Sequence, residues 1–238
     1  MTPKFFPENI NVISTKRYLN EKPKVFLNGY DSFNLADHVA DEPEKVFDNR
    51  KELIKYFNLP CEPRYLNQIH SDKCLTFNSS ECEGDALYTN KKNEVCAILT
   101  ADCLPIFISD TLGHEVAVLH AGWKGLLRGV IEKTLKAFDS KKLVAHFGPA
   151  ISQDSFEVGK EVRDQYISKN RSFKNSFKTI AGKHYLDLYS AAKLILNNFD
   201  ICKISGGDKC TFKQKDEYFS FRRDGKSSGR MVNLIWIN

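Results

Sequence analysis

The chain has 238 residues, enough for one large domain, and its 42% hydrophobic content can fill a sizeable core. Its 35 basic and 30 acidic residues leave a net charge of +5 with no block of five like charges, a mild preference for anions rather than a nucleic-acid footprint. No run approaches the roughly eighteen apolar residues of a membrane helix, and "MTPKFFPENINVIS" lacks the apolar centre of a signal peptide, so a cytoplasmic protein with no membrane partner is expected.

In chain order, "DEPEKVFDNRKELIKYFNLP" places acidic residues and Pro43 where a first helical turn tolerates them. The spacing predicts an amphipathic helix ending near Pro60, with Val46, Phe47, Ile54 and Phe57 on one face and Arg50 as a solvated helical arginine. "RYLNQIH" reads as a strand that His70 ends before the polar "SDK". "EVCAILTADCLPIFISD" reads as two buried strands around a break at Ala101-Asp102-Cys103. "HEVAVLHAGWKGLLRGVIEKTLKAF" is a strand ended by His120, a turn containing Gly122 and Gly125, and then a helix.

"KLVAHFGPAIS" is a further buried strand, and residues 160 to 185 read as a polar surface helix plus loop. "DLYSAAKLILNNF" is a helix with Leu188, Ala192 and Ile195 inward, and "MVNLIWIN" is a closing strand. Strands and helices alternate irregularly without repeat or linker, which predicts an α+β fold: a single domain over residues 1–238 with mixed β-sheets flanked by helices.

Seven cysteines without a C-x-x-C pair exclude a zinc ribbon and argue against a disulfide framework, so reduced thiols are expected. Two of the six histidines, His70 and His120, stand at strand ends, and if Cys103 sits at the end of its own strand the three converge at one rim of the sheet. Two histidines and one cysteine leave a tetrahedral ion one open position, the catalytic rather than the structural zinc arrangement. The spacings of 33 and 17 residues match no compact metal motif, and two capped histidines beside a buried thiol remain the plainer alternative. Asp102 faces away from Cys103 in a regular strand; it either turns the chain before Pro105 or steadies a ligand histidine. In "SFRRDGKSSGR", Arg222, Arg223, Lys226 and Arg230 surround two glycines, which suits an anion but also an ordinary charged hairpin turn.

The ordered set "NQIHSD", "EGDALYT", "LTADCLPIFISD", "VAVLHAGWKG", "FGPAISQDSFEVGKEV", "GGDKCTF" and "YFSFRRDGKSSGR" resembles the YfiH family, also called the laccase-domain or polyphenol-oxidase family. The resemblance implies a mononuclear zinc or copper centre on His70, Cys103 and His120. It further implies phosphorolysis of purine nucleosides (adenosine, inosine, guanosine, methylthioadenosine), with adenosine deamination as a companion activity. Arg50 in "DNR" becomes a candidate catalytic or phosphate contact, and Lys124, Arg222 and Arg223 candidate substrate or phosphate contacts. The chain departs from the family pattern where "KRYLNEKPKV" replaces a glycine-rich "GGVS", and where Lys124 replaces an arginine, which keeps a charge but loses a bidentate fork.

Other chemistries fit the same residues less fully. A lone copper on two histidines and a cysteine could oxidise phenols, but six histidines without an H-x-H pair cannot build a four-copper laccase. A Cys103 thiolate with a histidine base could cleave an amide, such as one in a cell-wall precursor. A non-enzymatic interaction module would not need this ligand set. The zinc nucleobase-deaminase pattern of H-x-E with P-C-x-x-C is absent, so deamination would use another scaffold. The sequence leaves the oligomeric state and the native metal open.

Overall fold

Apolar runs without polar alternation form strands only where both faces are covered, and the chain's longest such runs lie at the centre of the molecule. The computed structural model describes residues 2–19, 30 and 32–238. Its strands and helices run β1 (Ile10–Ser14), α1 (Pro43–Tyr56), β2 (Cys74–Thr76), β3 (Ala86–Thr89), β4 (Cys96–Thr100), β5 (Leu104–Asp110), β6 (Val116–Ala121), α2 (Trp123–Arg128), α3 (Val130–Leu135) and β7 (Leu143–Phe147). They continue with β8 (Glu157–Val158), α4 (Lys160–Lys169), β9 (Phe177–Ile180), β10 (Lys183–Leu186), α5 (Leu188–Leu196), β11 (Ile201–Gly206), α6 (Phe221–Asp224) and β12 (Met231–Ile237).

Six strands form a mixed sheet in the order β11-β7-β5-β6-β3-β2, with its two outer pairs parallel and its centre antiparallel. A second, antiparallel sheet has the order β1-β12-β4, and β8-β10-β9 form a small third one. Alternation along β5 and β6 sorts the core. Ile106, Ile108 and Leu119 pack against Leu126, Ile131 and Ile195 of α2, α3 and α5. Phe107 and Val118, on the opposite face, meet Ile10, Ile98 and Ile235 of the second sheet. The outer face of that sheet carries Ala97, Leu99, Leu234 and Trp236 and is covered by Leu53 of α1. The layers therefore run helices, large sheet, small sheet, α1. Each fully buried Ile or Leu contributes about 1.5–3 kcal/mol, so strands β4, β5, β6 and β12, buried along their whole length, hold the fold together.

β4 belongs to the small sheet and β5 to the large one. Ala101-Asp102-Cys103 is thus the crossing between sheets, and Asp102 makes it with φ of +92°. This accounts for the break in an otherwise continuous apolar run.

Several local expectations are corrected. α1 ends at Tyr56, and it buries Val46 and Leu53 while Phe47 is exposed, because the inward stripe runs through positions 46 and 53. The segment Arg64–His70 is not a strand; it makes only isolated bridges at Arg64 and Asn67, and His70 has φ of +57°. The helix after His120 is two helices, α2 and α3, because Gly129 adopts φ of +105° between them. Residues 160 to 185 contain α4 and then the hairpin β9-β10 rather than a loop. The basic "SFRRDGKSSGR" forms the one-turn helix α6 followed by a 3₁₀ turn rather than a hairpin. Residues 20–25 of "KRYLNEKPKV" lie outside the described residues.

Candidate metal centre and substrate cavity

Register brings the first two candidate ligands together. β5 and β6 pair with Pro105 opposite His120, so Cys103, two residues before Pro105, comes to the sheet end where His120 stands. Gly122 lets them approach. A Cβ there would lie 2.8 Å from Cys103 Sγ and 3.2 Å from His70 Cδ2.

His70 reaches the same point from a loop, and the residue that brings it is Asp85, which sequence reasoning missed. Its carboxylate is fully buried. It accepts hydrogen bonds from the backbone N–H of Ile69 (3.2 Å), His70 (3.0 Å) and Ser71 (2.5 Å) and from Ser71 Oγ (2.7 Å). These bonds over-determine the left-handed backbone at His70. The same carboxylate lies 2.8 Å from His120 Nδ1, so one acidic side chain aims both histidines. Burial alone would raise the Asp85 pKa, yet the hydrogen bonds from His120 and Ser71 outweigh it and hold the group below its ordinary value. An acid next to the apolar "ALYT" of "EGDALYT" was the available signal, since a carboxylate bordering a buried strand needs partners.

The three ligand atoms lie within 4.8 Å of one another, with Cys103 Sγ 3.8 Å from His70 Nε2. Ligand atoms on one tetrahedral zinc ion stand about 3.3–3.6 Å apart, from bond lengths of about 2.0 and 2.3 Å, so the group fits an ion with little movement. Because Nδ1 of His120 is committed to Asp85, Nε2 is its available ligand atom, a carboxylate–histidine arrangement that fixes the tautomer. The thiol is prepared for the same task. Burial pushes Cys103 up, but His120 opposite it, and hydrogen bonds from both histidines, bring it down to about 6. Burial would likewise lower His120, whereas the Cys103 thiolate and Asp85 raise it to about 9. The two histidines therefore favour the thiolate of Cys103, the form that binds metal or attacks carbon.

The ligand group forms part of the wall of a cavity of about 400 Å³, within the range that encloses small molecules. Trp123, Phe156 and Phe221 supply aromatic surface, and Arg222, Arg230 and His38 supply polar groups. The Arg222 guanidinium lies over the Phe156 ring at 5.1 Å and donates to Glu157 O at 3.0 Å. Arg230 donates to Ser228 O and Gly229 O, and burial lowers its pKa. His38 is held below its usual value first by burial and then by Arg230.

Of the remaining sequence candidates, Arg50, Lys124 and Arg223 stand off the cavity wall, whereas Asp102 belongs to it. Arg50 lies over the Tyr65 ring at 4.1 Å, donates to Leu35 O and pairs with Asp37 at 3.1 Å, so it braces the loop that carries His38. Lys124 is exposed and sits over the Trp123 ring at 5.5 Å. Arg223 points inward to the carbonyls of Thr211, Phe212 and Tyr218 and to Asp224, a structural anchor rather than a ligand for solutes. Asp102 neither touches a ligand histidine nor lies free. It accepts from Thr211 Oγ1 and from the Arg222 backbone N–H, each at 2.6 Å.

Known proteins share this sequence and fold. A family model described as a multi-copper polyphenol oxidoreductase laccase matches residues 20–238. The chain is similar to a Haemophilus influenzae protein named purine nucleoside phosphorylase, with 43% identity over 97% of this chain and 96% of that one. It is similar to the Escherichia coli purine nucleoside phosphorylase YfiH, with 40% identity over 90% and 89% of the two chains. The crystal structure of a Neisseria meningitidis protein superposes with a TM-score of 0.89 and 38% identity, covering 98% of this chain and 96% of the other. The ligand group, the sheet crossing that presents it and these relatives converge on one conclusion: the chain belongs to the YfiH, or laccase-domain, family.

Proposed function

We propose that this protein is a purine nucleoside phosphorylase acting on adenosine, inosine, guanosine and methylthioadenosine, with adenosine deamination as a second activity of the same cavity. The observation that carries this reading is a single cavity that combines a thiolate–imidazole ligand group, three aromatic side chains and two arginines. The names of the relatives support it. Phosphate is the co-substrate, and an oxygen of phosphate forms the bond to ribose C1′ as the bond from C1′ to the purine nitrogen breaks. The departing purine nitrogen takes up the proton of hydrogen phosphate, so the products are the neutral free base and ribose 1-phosphate, or 5-methylthioribose 1-phosphate from methylthioadenosine. Arg222 and Arg230 supply charge for the phosphate, and Trp123, Phe156 and Phe221 supply stacking surface for the base.

His70, Cys103 and His120 would hold one zinc or copper ion, which supplies Lewis acidity at this end of the cavity. The chain's own part is to favour the Cys103 thiolate and to hold His120 Nδ1 at Asp85, so that Nε2 is the atom turned to the ion. Arg50 acts through the loop of His38 and Asp37, and Lys124 adds charge outside the cavity wall. Among the described residues no helix is long and apolar enough to cross a membrane, and we place the protein in the cytoplasm as one domain over residues 1–238.

A second reading has an observation of its own. Cys103, His120 and Asp85 stand in the order nucleophile, base and orienting carboxylate, which also suits an amide hydrolase. A multi-copper oxidase has less support: among the described residues one group of three donors converges, not several. Product analysis decides between them. Free adenine or hypoxanthine formed only with phosphate supports phosphorolysis, inosine from adenosine adds deamination, and neither product leaves the hydrolase.

A further inference from the structure

The strongest unexplained feature is Asp102. A non-glycine residue at φ of +92° is strained and persists only where its surroundings demand it. Glycine would turn the chain between the sheets more easily, so the turn alone does not account for an aspartate. What the side chain adds is two acceptor oxygens, both used, on a residue that is 7% exposed and stands in the cavity wall.

Oδ1 accepts from Thr211 Oγ1 and Oδ2 accepts from the N–H of Arg222 in α6. The main-chain oxygen of Thr211 in turn accepts from Arg223, the next residue of α6. Asp102, Thr211 and α6 therefore close a bracket, and Ile151 N–H fixes its base by donating to Asp102 O at 2.9 Å. The outward side chains of α6 are Phe221 and Arg222, which line the cavity that Cys103 also lines.

We propose that Asp102 is a positioning residue: it ties the turn that presents Cys103 to helix α6, so that Phe221 and Arg222 stand at a fixed place in the cavity relative to the ligand group. This rests on the reading of the cavity as a site for nucleoside and phosphate. It assigns to Asp102 the register between the two, not a contact with either.

Two substitutions separate this role from the alternatives. Asp102→Gly removes both acceptors and relieves the backbone. Asp102→Asn keeps the bracket, because its oxygen can accept from Arg222 N–H while its amide donates to Thr211 Oγ1. Zinc content, KM for inorganic phosphate with inosine, and backbone amide exchange of residues 219–224 are measured for each. D102G is expected to keep wild-type zinc content, raise KM for phosphate about tenfold or more, and exchange faster over 219–224. D102N is expected to stay within about threefold of wild type in KM, with wild-type exchange.

If D102G matches wild type in KM and exchange, Asp102 only turns the chain and the proposal fails. If D102N is as impaired as D102G, charge rather than hydrogen bonding matters, and it fails again. Loss of zinc in D102G would place the role at Cys103 and also overturn it. If wild type itself shows no phosphorolysis, the functional reading falls, while the exchange measurement still decides for or against the bracket. Should D102G not fold, Thr211→Val tests the same bracket, with faster exchange over 219–224 expected and unchanged exchange contradicting it.

Discussion

Replacing Asp85 by asparagine should separate the ligand group from its support at minimal change of shape. The carboxylate accepts four hydrogen bonds from the 69–71 loop and one from His120. An amide offers one acceptor. If its oxygen takes the place of Oδ2, its NH₂ opposes the N–H of His70 and faces Nδ1 of His120, which must then accept, moving the imidazole proton to Nε2, the atom available to a metal. If the amide turns round, its NH₂ takes the place of Oδ2 and opposes the N–H groups of Ile69 and Ser71. Either arrangement leaves a buried donor unpaired or a ligand blocked. Loss of such an orienting partner costs about 10–100-fold in metal affinity, or about 1.4–2.7 kcal/mol. The loop loses charged hydrogen bonds of about 1.5–3 kcal/mol each. With about 2–4 °C per kcal/mol in a chain of this size, Tm should fall by at least about 3 °C. Zinc competition against a chromophoric chelator, with Cys103→Ser as the control for a lost ligand, reads the first effect, and calorimetry of metal-free protein reads the second. A D85N protein within about twofold of wild-type zinc affinity would refute the assignment of Asp85.

Other expectations follow from the same contacts. Alkylation of Cys103 in metal-free protein should titrate near pH 6, where its depressed pKa lies, rather than near the usual thiol value of about 8.5; a midpoint above about 8 would contradict the thiolate–imidazole pairing. Arg222→Ala should raise KM for phosphate about tenfold with little change in Tm, whereas Arg223→Ala should lower Tm by several degrees, because it removes donors to three carbonyls. His146, hydrogen-bonded to Ser205 Oγ at 2.7 Å, is pushed down to about 4, chiefly by burial. The unfolded chain binds the proton near 6.5, so this group's contribution is complete above that pH and is lost as pH falls towards 4. His146→Gln should therefore flatten the acid limb of Tm against pH, and an unchanged limb would argue that His146 titrates normally.

Much of this was legible in the sequence because buried strands write themselves as unbroken apolar runs. β4, β5, β6, β7 and β12 appear in that way, and the interruptions at Cys103 and His120 stand out against them. His70 was legible as a histidine before polar residues, but the strand expected to end on it is a loop. It stands in a loop held by a carboxylate fifteen positions later, and no local periodicity encodes that pairing. The β9-β10 hairpin was hidden because most of its residues are exposed, which erases the alternation that marks a strand. Arg222 and Arg223 look alike in sequence but face opposite ways, since the second is captured by carbonyls of the 211–218 segment. Arg50 illustrates the reverse case: a helical arginine by spacing, it is turned onto Tyr65 and Asp37 by tertiary partners.

The central claim is tested most directly by following zinc-loaded protein with inosine under anaerobic conditions, with and without inorganic phosphate, by ³¹P NMR and chromatography of the base. The predicted result is hypoxanthine and ribose 1-phosphate in equal amounts, formed only when phosphate is present and unaffected by the absence of oxygen. Hypoxanthine released equally without phosphate, or turnover confined to copper-loaded protein in the presence of oxygen, would contradict it.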